Sequence, residues 1–262
     1  MTPVAVLITI ASYFLILFTI SYIAGRKADN EGFFVGNRKS AWYVVAFAMI
    51  GSSISGVTFV SVPGMVGISN FSYLQMVLGF VTGQIIIAFV LIPLFYRMNL
   101  VSIYEYLENR FGTSSYKTGA WFFFISKILG AAVRLYLVCL TLQLLVFEPF
   151  HMPFIMNVIL TVALVWLYTF RGGVKSLIWT DSLKTFCLIV SVVLCIYYIS
   201  TDLKLSFTEM FSTVSDSALS HMFFFDNVND KRYFFKQFLA GVFTMIAMTG
   251  LDQDMMQRNL SC

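Results

Sequence analysis

Seven long apolar segments dominate this sequence and limit what the chain can fold into. Only 11% of the residues are charged, against roughly 25% in a soluble domain. Each segment approaches or exceeds the ~20 residues that a helix needs to cross a bilayer. The pattern therefore predicts an all-α membrane protein with about seven transmembrane helices. The segments are Val4 to Gly25, Trp42 to Ile68, Tyr73 to Phe95, Gly119 to Phe147, Met152 to Phe170, Ile178 to Ile199 and Phe234 to Leu251.

The second segment has an unusual middle. From Ala46 to Gly67 it is apolar enough to enter a membrane, yet it contains a run of glycine and hydroxyl residues followed by Pro63-Gly64. Unpaired backbone groups in hydrocarbon cost several kcal/mol, so an unwound helix survives there only where protein or a wet cavity covers it. An interrupted apolar segment indicates a transporter binding site. The alternative is that the small residues serve helix–helix packing.

The basic residues predict the orientation of the chain. Lys and Arg collect in the loops after the first, third and fifth segments, whereas the loops near Asn70 and Phe150 contain neither. Because basic residues favour the cytoplasmic side, we expect the N-terminus outside and the C-terminus in the cytoplasm. The first segment lacks a basic start and a small-residue cleavage site, so it is predicted to be a retained helix and not a signal peptide.

Three polar residues share one face of the fourth segment. Lys127, Arg134 and Thr141 follow one another at intervals of seven, which places them on the same side of a helix. Lys127 can reach the interface, but Arg134 lies near mid-depth, where a charge is a candidate functional residue. Since a guanidinium binds a carboxylate through two parallel hydrogen bonds, Arg134 predicts an anionic substrate. The alternative is a structural arginine bonded to backbone carbonyls.

A carboxylate lies just inside the sixth segment. Asp181 ends the run GGVKSLIWTD that begins at Gly172, one or two helical turns from the membrane edge. It could pass a cation across the cytoplasmic mouth, or it could pair with Lys175 or Lys184 at the interface.

Several function classes find no support in the sequence. The basic residues are scattered and not clustered, which argues against nucleic acid. Cys139, Cys187, Cys195 and Cys262 have no metal-ligand or disulfide spacing, and His151 and His221 are isolated in loops. No nucleophile elbow, zinc-helix or phosphate-loop motif is present, so we expect no enzyme and no cofactor.

Four motifs in order give the chain a resemblance to the sodium/solute symporter family. Gly172 to Asp181 resembles that family's GG-x-K-x-x-x-W-T-D run, and Ile103 to Phe111 resembles its E-[YF]-[LV]-E-x-R-[FY] run. Phe34 to Arg38 resembles the entry to the family's broken helix, and Asp252 to Arg258 resembles its Q-x-x-x-Q-R run. The resemblance covers nearly the whole chain.

The resemblance implies part of an inverted-repeat fold. Family members have an extra first helix and then two inverted repeats of five helices. Residues 4–25 would be the extra helix, residues 42–200 the first repeat, and residues 234–251 the first helix of the second repeat. Residues 1–262 would thus form a partial symporter domain, the incomplete N-terminal half of the fold.

The resemblance also implies site residues. The carbonyl donors of the family's sodium site correspond to Gly51 and Ile54, and the positions that contact solute after the break correspond to Ser55 and Thr58. Positions that bind sugars in sugar carriers are here Val77 and Phe80, which argues against a simple sugar. In sialic-acid carriers an arginine that faces the solute carboxylate corresponds to Arg134, and a second sodium site corresponds to Asp181.

The implied function is sodium-coupled symport of a small organic solute by alternating access in the plasma membrane. Sodium would be the coupling ion, and the solute an organic anion such as a sialic-acid-like or other carboxylate. Two alternatives remain open. One is a seven-span membrane sensor, which would bind without flux. The other is an inactive truncated fragment, or half of a split carrier with a missing C-terminal half.

Overall fold

The computed structural model describes residues 3–25, 41–98, 100, 102–169 and 173–259, which form helices joined by turns and irregular segments and contain no strand. Among the described residues, helices occupy each of the seven apolar segments, and three shorter α-helices lie outside them. They are α1 Pro3–Gly25, α2 Trp42–Ser53, α3 Gly56–Ser69, α4 Tyr73–Ile86 with its continuation Ile92–Arg97, α5 Ile103–Phe111, α6 Thr113–Leu142, α7 Phe154–Thr169, α8 Gly173–Leu203, α9 Phe207–Ser215, α10 Phe234–Met245 and α11 Gln253–Asn259. Single π-helical turns extend α4, α6 and α10. The motif Phe34 to Arg38 and the residue Gly172 lie outside the described residues.

The second apolar segment is broken, as the sequence predicts. Helix α2 ends at Ser53 and α3 begins at Gly56. Ser55 has extended backbone angles (φ −102°, ψ 161°), and its side chain accepts a hydrogen bond from the Thr58 backbone N–H at 3.2 Å. A serine in this conformation is a favourable N-cap. The break therefore comes from a local capping preference, while Pro63 lies within α3 without ending it.

Residues 56–97 form a second interrupted stretch. By composition alone these 42 residues pass as one membrane span. A helix of that length would be about 63 Å long, twice the ~30 Å hydrocarbon core. Asn70 has φ 55°, and Phe71 departs from helical angles. The chain thus turns at Asn70–Ser72, and α3 and α4 belong to successive crossings.

The contacts divide the chain into two compact units. The first contains residues 1–45, 101–180 and 260–262, and the second contains residues 46–100 and 181–259. Helices α2 and α8 contribute to both. By length and composition, four described helical stretches can span a membrane, and the bent pair α10–α11, with an angle of 72°, adds a fifth. Helices α2 and α7 are shorter and also apolar.

Glycines allow α4 and α10 to pack closely in the second unit. A Cβ added at Gly79 would lie 2.2 Å from the Phe238 carbonyl oxygen, and one at Gly241 would lie 2.3 Å from the Met76 carbonyl oxygen. Gly79 and Gly83 form a G-x-x-x-G pair, the pattern that lets membrane helices approach backbone to backbone. This crossing fixes α10 beside α4.

Polar side chains tie α6 to α7 in the first unit. The buried Asn157 amide donates to the Cys139 carbonyl oxygen at 2.7 Å and to Gln143 Oε1 at 3.3 Å. Thr161 Oγ1 donates to Asn157 Oδ1 at 3.2 Å. Because buried polar groups in hydrocarbon need partners, this network fixes how α7 packs on the end of α6.

Candidate ion and solute site

The break in the second segment carries two predicted solute contacts. Ser55 Oγ and Thr58 Oγ1 lie 2.9 Å apart, and the two hydroxyls are half-buried. Ser55 also caps α3. The structure thus brings together two of the residues that the sequence selected, at the first turn of α3. A helix N-terminus with its unpaired N–H groups attracts negative charge.

The same break leaves backbone carbonyls unpaired. The Ile54 N–H still donates to the Ile50 carbonyl oxygen at 3.0 Å, and the Phe59 N–H donates to the Ser55 carbonyl oxygen at 3.0 Å. Among the described residues, no hydrogen bond reaches the carbonyl oxygens of Gly51 or Ile54. These are the two carbonyls that the sequence predicts as sodium ligands, and oxygen ligands suit a hard cation.

Gly51 has a second, structural role that sequence reasoning missed. A Cβ at Gly51 would lie 2.2 Å from Thr185 Oγ1 and 2.7 Å from the Asp181 carbonyl oxygen. Thr185 Oγ1 lies 2.8 Å from the Phe47 carbonyl oxygen and 2.9 Å from that of Asp181, so its one proton is shared between two acceptors. Helices α2 and α8 therefore meet at Gly51, within the second unit.

Asp181 is held by two cationic side chains of the second unit. Its carboxylate is buried, and Lys184 Nζ lies 2.9 Å from Oδ1. Arg258 Nη1 donates to Oδ2 across 77 residues of sequence. Arg258 is itself buried and also contacts Asp254 Oδ1 at 3.4 Å. Burial of a carboxylate is costly without such partners, so Asp181 is a charge-paired residue in this conformation.

Of the two lysines considered for Asp181, the structure describes Lys184 as a partner, and the Lys175 side chain lies outside the described part of the chain. Arg258 is the partner that the sequence analysis did not find. It was visible only as the last residue of the Gln257-Arg258 pair in the Q-x-x-x-Q-R run, and nothing in its spacing pointed to Asp181.

Arg134 lies in the first unit, on α6. Its side chain is exposed, and among the described residues it has no hydrogen-bond or ion-pair partner. Lys127, seven residues before Arg134 on the same helix face, has its Nζ 5.5 Å from the centre of the Phe123 ring. Thr141 donates back to the Leu137 carbonyl oxygen at 2.9 Å. Arg134 and the group Gly51, Ile54, Ser55, Thr58 and Asp181 thus belong to different units.

The two glutamines of α4 have different surroundings. Gln75 is fully buried; it donates to the Arg232 carbonyl oxygen at 2.8 Å and accepts from the Phe224 N–H at 3.1 Å. It therefore anchors the segment that precedes α10. Gln84 is exposed and contacts the Met245 sulfur at 3.7 Å.

The described residues contain no cluster of three or more His, Cys, Asp or Glu that could hold a metal ion.

The model of the sodium:solute symporter family matches residues 33–262. The sodium/sialic acid symporter NanT of Aliivibrio fischeri is 30% identical over 192 residues, which cover 73% of this chain and 37% of that protein. Human sodium-coupled monocarboxylate transporter 2 is 26% identical over 239 residues, which cover 90% of this chain and 38% of that protein.

A solved structure shares the fold. It is a sodium-coupled sialic acid symporter in a substrate-bound, outward-open state, and it matches with a TM-score of 0.80 at 22% identity. The match covers 95% of this chain and 52% of that one. The chain thus spans about two fifths of the length of the curated relatives and about half of the solved structure.

Proposed function

Because the chain belongs to the sodium:solute symporter family, we propose that it provides the sodium-binding and part of the solute-binding machinery of a symporter for a small organic anion. Sodium is the coupling ion, and no covalent chemistry or further cofactor is required. The protein is a multi-pass membrane protein, and we place its N-terminus outside and its C-terminus in the cytoplasm, in the plasma membrane.

One observation carries this proposal: the membrane crossing that stops and restarts at Ile54–Ser55. Its interruption leaves the carbonyl oxygens of Gly51 and Ile54 without hydrogen bonds among the described residues. Such oxygens cannot face lipid at low cost, whereas they can replace water around a sodium ion. We therefore assign Gly51 and Ile54 to the sodium site, with Ser55 and Thr58 as solute contacts.

The proposed solute carries a carboxylate. The named relatives include carriers of sialic acid and of monocarboxylates, two kinds of solute that have a carboxylate in common. Arg134 is the residue we assign to it, because a guanidinium can hold both carboxylate oxygens. Its exposure and its lack of a protein partner among the described residues support that role.

Asp181 is our candidate for a second sodium contact. In the present conformation Arg258 and Lys184 occupy both carboxylate oxygens. Sodium can bind there only if at least one of these cations moves away. A site of this kind would release or receive an ion when the conformation changes, which suits a position near the cytoplasmic edge.

Alternating access supplies the mechanism. Sodium bound at the interrupted helix favours the conformation that accepts solute, and each ligand raises the affinity for the other. Alternating access moves one body of the carrier against another around the fixed site. The chain spans part of its relatives' length, so the activity of a whole carrier is part of this proposal.

The test is uptake of radiolabelled N-acetylneuraminate into proteoliposomes that contain the purified chain. We expect uptake under an inward sodium gradient, none under a matched potassium gradient, and inhibition by excess unlabelled solute. A parallel assay with labelled lactate distinguishes the two solute types. Uptake of either that is insensitive to sodium, or binding of sodium without effect on solute affinity, would contradict the proposal.

A further inference from the structure

The hydroxyl of Thr185 joins the end of α2 to the first half of α8. Thr185 is fully buried, and its Oγ1 lies 2.8 Å from the Phe47 carbonyl oxygen and 2.9 Å from that of Asp181. Both acceptors belong to the second unit, as do Thr185 and Gly51. One hydroxyl thus connects a turn of α2 with a turn of α8, at the point where Gly51 lets the two helices approach.

A second threonine of α8 shows what is particular about Thr185. The exposed Thr201 donates to the Tyr197 carbonyl oxygen, four residues earlier, at 2.9 Å, which is the usual back-bond of a helical threonine. Thr185 has the same back-bond to Asp181 and a further acceptor 138 residues away in the sequence. Because the back-bond alone satisfies the hydroxyl, the Phe47 contact is not needed by Thr185 itself and bears on the position of α2.

The carbonyl that Thr185 contacts lies one helical turn before the proposed sodium ligands. Phe47 precedes Gly51 by four residues, and Ile54 follows directly after the end of α2. Gly51 lies against the same hydroxyl, since a Cβ there would come within 2.2 Å of Thr185 Oγ1. The last carbonyls of a helix have no partners within that helix to hold them. The Thr185 contact holds the turn that precedes them, and with it the direction in which they point.

The same contact can break and form again at low cost. If α2 and α8 separate at this point, the Thr185 hydroxyl keeps its bond to the Asp181 carbonyl oxygen within its own helix. The separation therefore avoids the desolvation penalty of a buried hydroxyl without an acceptor. Such a contact suits two helices that touch in one state of a carrier and part in another.

We propose that Thr185 is a positioning residue for sodium binding: its hydroxyl holds the end of α2 so that the Gly51 and Ile54 carbonyl oxygens can bind the ion. This inference rests on the sodium site proposed above. Because coupling between two binding equilibria is reciprocal, sodium in turn stabilises the contact between α2 and α8. Thr185 thereby links the ion at the break to the backbone of Asp181, the candidate for the second sodium contact.

The first test compares sodium affinity with and without the hydroxyl. Thr185→Val removes the hydroxyl and keeps the branched shape, Thr185→Ser keeps the hydroxyl, and Thr201→Val is the matched control elsewhere on α8. The melting temperature of the purified chain is followed as sodium chloride replaces potassium chloride, since the stabilisation by a ligand reports its dissociation constant. We expect the dissociation constant for sodium to rise roughly 3–10-fold in Thr185→Val, the loss of about one hydrogen bond. Thr185→Ser and Thr201→Val should keep the wild-type constant.

The outcomes separate this inference from the sodium site on which it rests. A threonine with a merely structural role would lower the melting temperature of Thr185→Val equally in both salts, and that result would overturn the inference alone. A wild-type melting temperature that does not respond to sodium would contradict the proposed sodium site and this inference with it.

Hydrogen exchange of the wild-type protein provides a second test that needs no variant to fold. If the contact and the ion stabilise each other, sodium should slow the exchange of residues 47–54 and of residues 181–189 together, relative to potassium. Slower exchange in residues 47–54 alone would show that sodium binds without the α2–α8 contact, and it would exclude Thr185 as the positioning residue.

Discussion

Two charged residues that the sequence singles out within the spans, Asp181 and Arg134, have opposite surroundings. Asp181 is buried, and Arg258 and Lys184 bond its two oxygens. Arg134 is exposed on α6, without a partner among the described residues. Arg134 was a candidate because a charge at membrane depth is costly, whereas Asp181, near the membrane edge, was a candidate for passing a cation or for pairing with a lysine. The difference teaches that this cost can be met inside the protein, as at Asp181, or left for a ligand to meet, as we propose for Arg134.

We expect the largest effect from breaking the buried ion pair between Asp181 and Arg258. Arg258→Ala leaves the Asp181 carboxylate buried without its main partner, which typically destabilises by about 3–5 kcal/mol. Unfolding monitored in detergent should show this loss, and the double variant Arg258→Ala with Asp181→Asn should recover part of it. Lys184→Ala is the control, because the Lys184 side chain is about half exposed (47%) and such a pair contributes roughly 0–1 kcal/mol. If Arg258→Ala and Lys184→Ala both lowered the free energy of unfolding by a similarly small amount, Arg258 would not be the main partner of Asp181.

The next prediction concerns Arg134, the exposed charge of the comparison. If Arg134 binds the solute carboxylate, Arg134→Ala removes charged hydrogen bonds worth about 1.5–3 kcal/mol, which corresponds to a roughly 10–100-fold rise in KM for an acidic solute. Its unfolding should match the wild type, since the side chain is exposed. Arg134→Lys keeps the charge but not the two-pronged geometry, so its KM should fall between the two. Unchanged uptake by Arg134→Ala would take this residue out of the proposed site.

A third prediction concerns the close contact between α2 and α8 at Gly51, next to the Asp181 backbone. Gly51→Ala places a Cβ 2.2 Å from Thr185 Oγ1 and 2.7 Å from the Asp181 carbonyl oxygen. Overpacking of this kind costs about 1–3 kcal/mol. Gly64→Ala is the matched control in the same crossing, because a Cβ there meets nothing within 4 Å. Equal stability of the two variants would show that α2 and α8 are not in close contact at Gly51.

We expect the smallest effect from the ion pair between Arg232 and Asp230, which lies outside the membrane spans. It is more exposed to solvent than the pair Asp181–Arg258 and so allows a comparison with it. The Arg232 side chain donates to Asp230 and holds the pKa of that carboxyl below its ordinary value. Its contribution to stability is therefore present above about pH 4, the usual pKa of an aspartate, and is lost as the pH falls through the lower folded value. Hydrogen exchange of residues 224–234 should rise in that acid range in the wild type. Asp230→Asn should abolish this acid dependence, and an unchanged profile would exclude the pair as its cause.

The sequence predicts the fold well where the physics is local. Apolar length sets the helices, and the helix-weakening run with Ser55 as an N-cap sets the break at Ile54–Ser55. Both depend on residues within a few positions of each other. The glycine pair Gly79 and Gly83 is likewise a local signal, although its partner Gly241 becomes evident only when α4 and α10 are seen together.

The site was harder to predict because its contacts join distant parts of the sequence. Arg258 lies 77 residues from Asp181, and no periodicity links them. Gly51 was selected for its carbonyl, but the close approach of Thr185 depends on how α2 and α8 pack. Gln75 could not be assigned to a cavity or to the protein interior until its bonds to the Phe224 and Arg232 backbone were known.

The central claim is that the interrupted crossing offers peptide oxygens to sodium. Ser53 is exposed at the end of α2, next to the break, so Ser53→Cys introduces a small reporter beside the proposed site. Its labelling rate by a hydrophilic thiol reagent in native membranes is quantified by peptide mass spectrometry, which separates it from the native cysteines. The account predicts different rates in sodium and in equimolar potassium, with a sodium dependence that saturates. A thiol that does not react, or that reacts at the same rate in both salts, would contradict it.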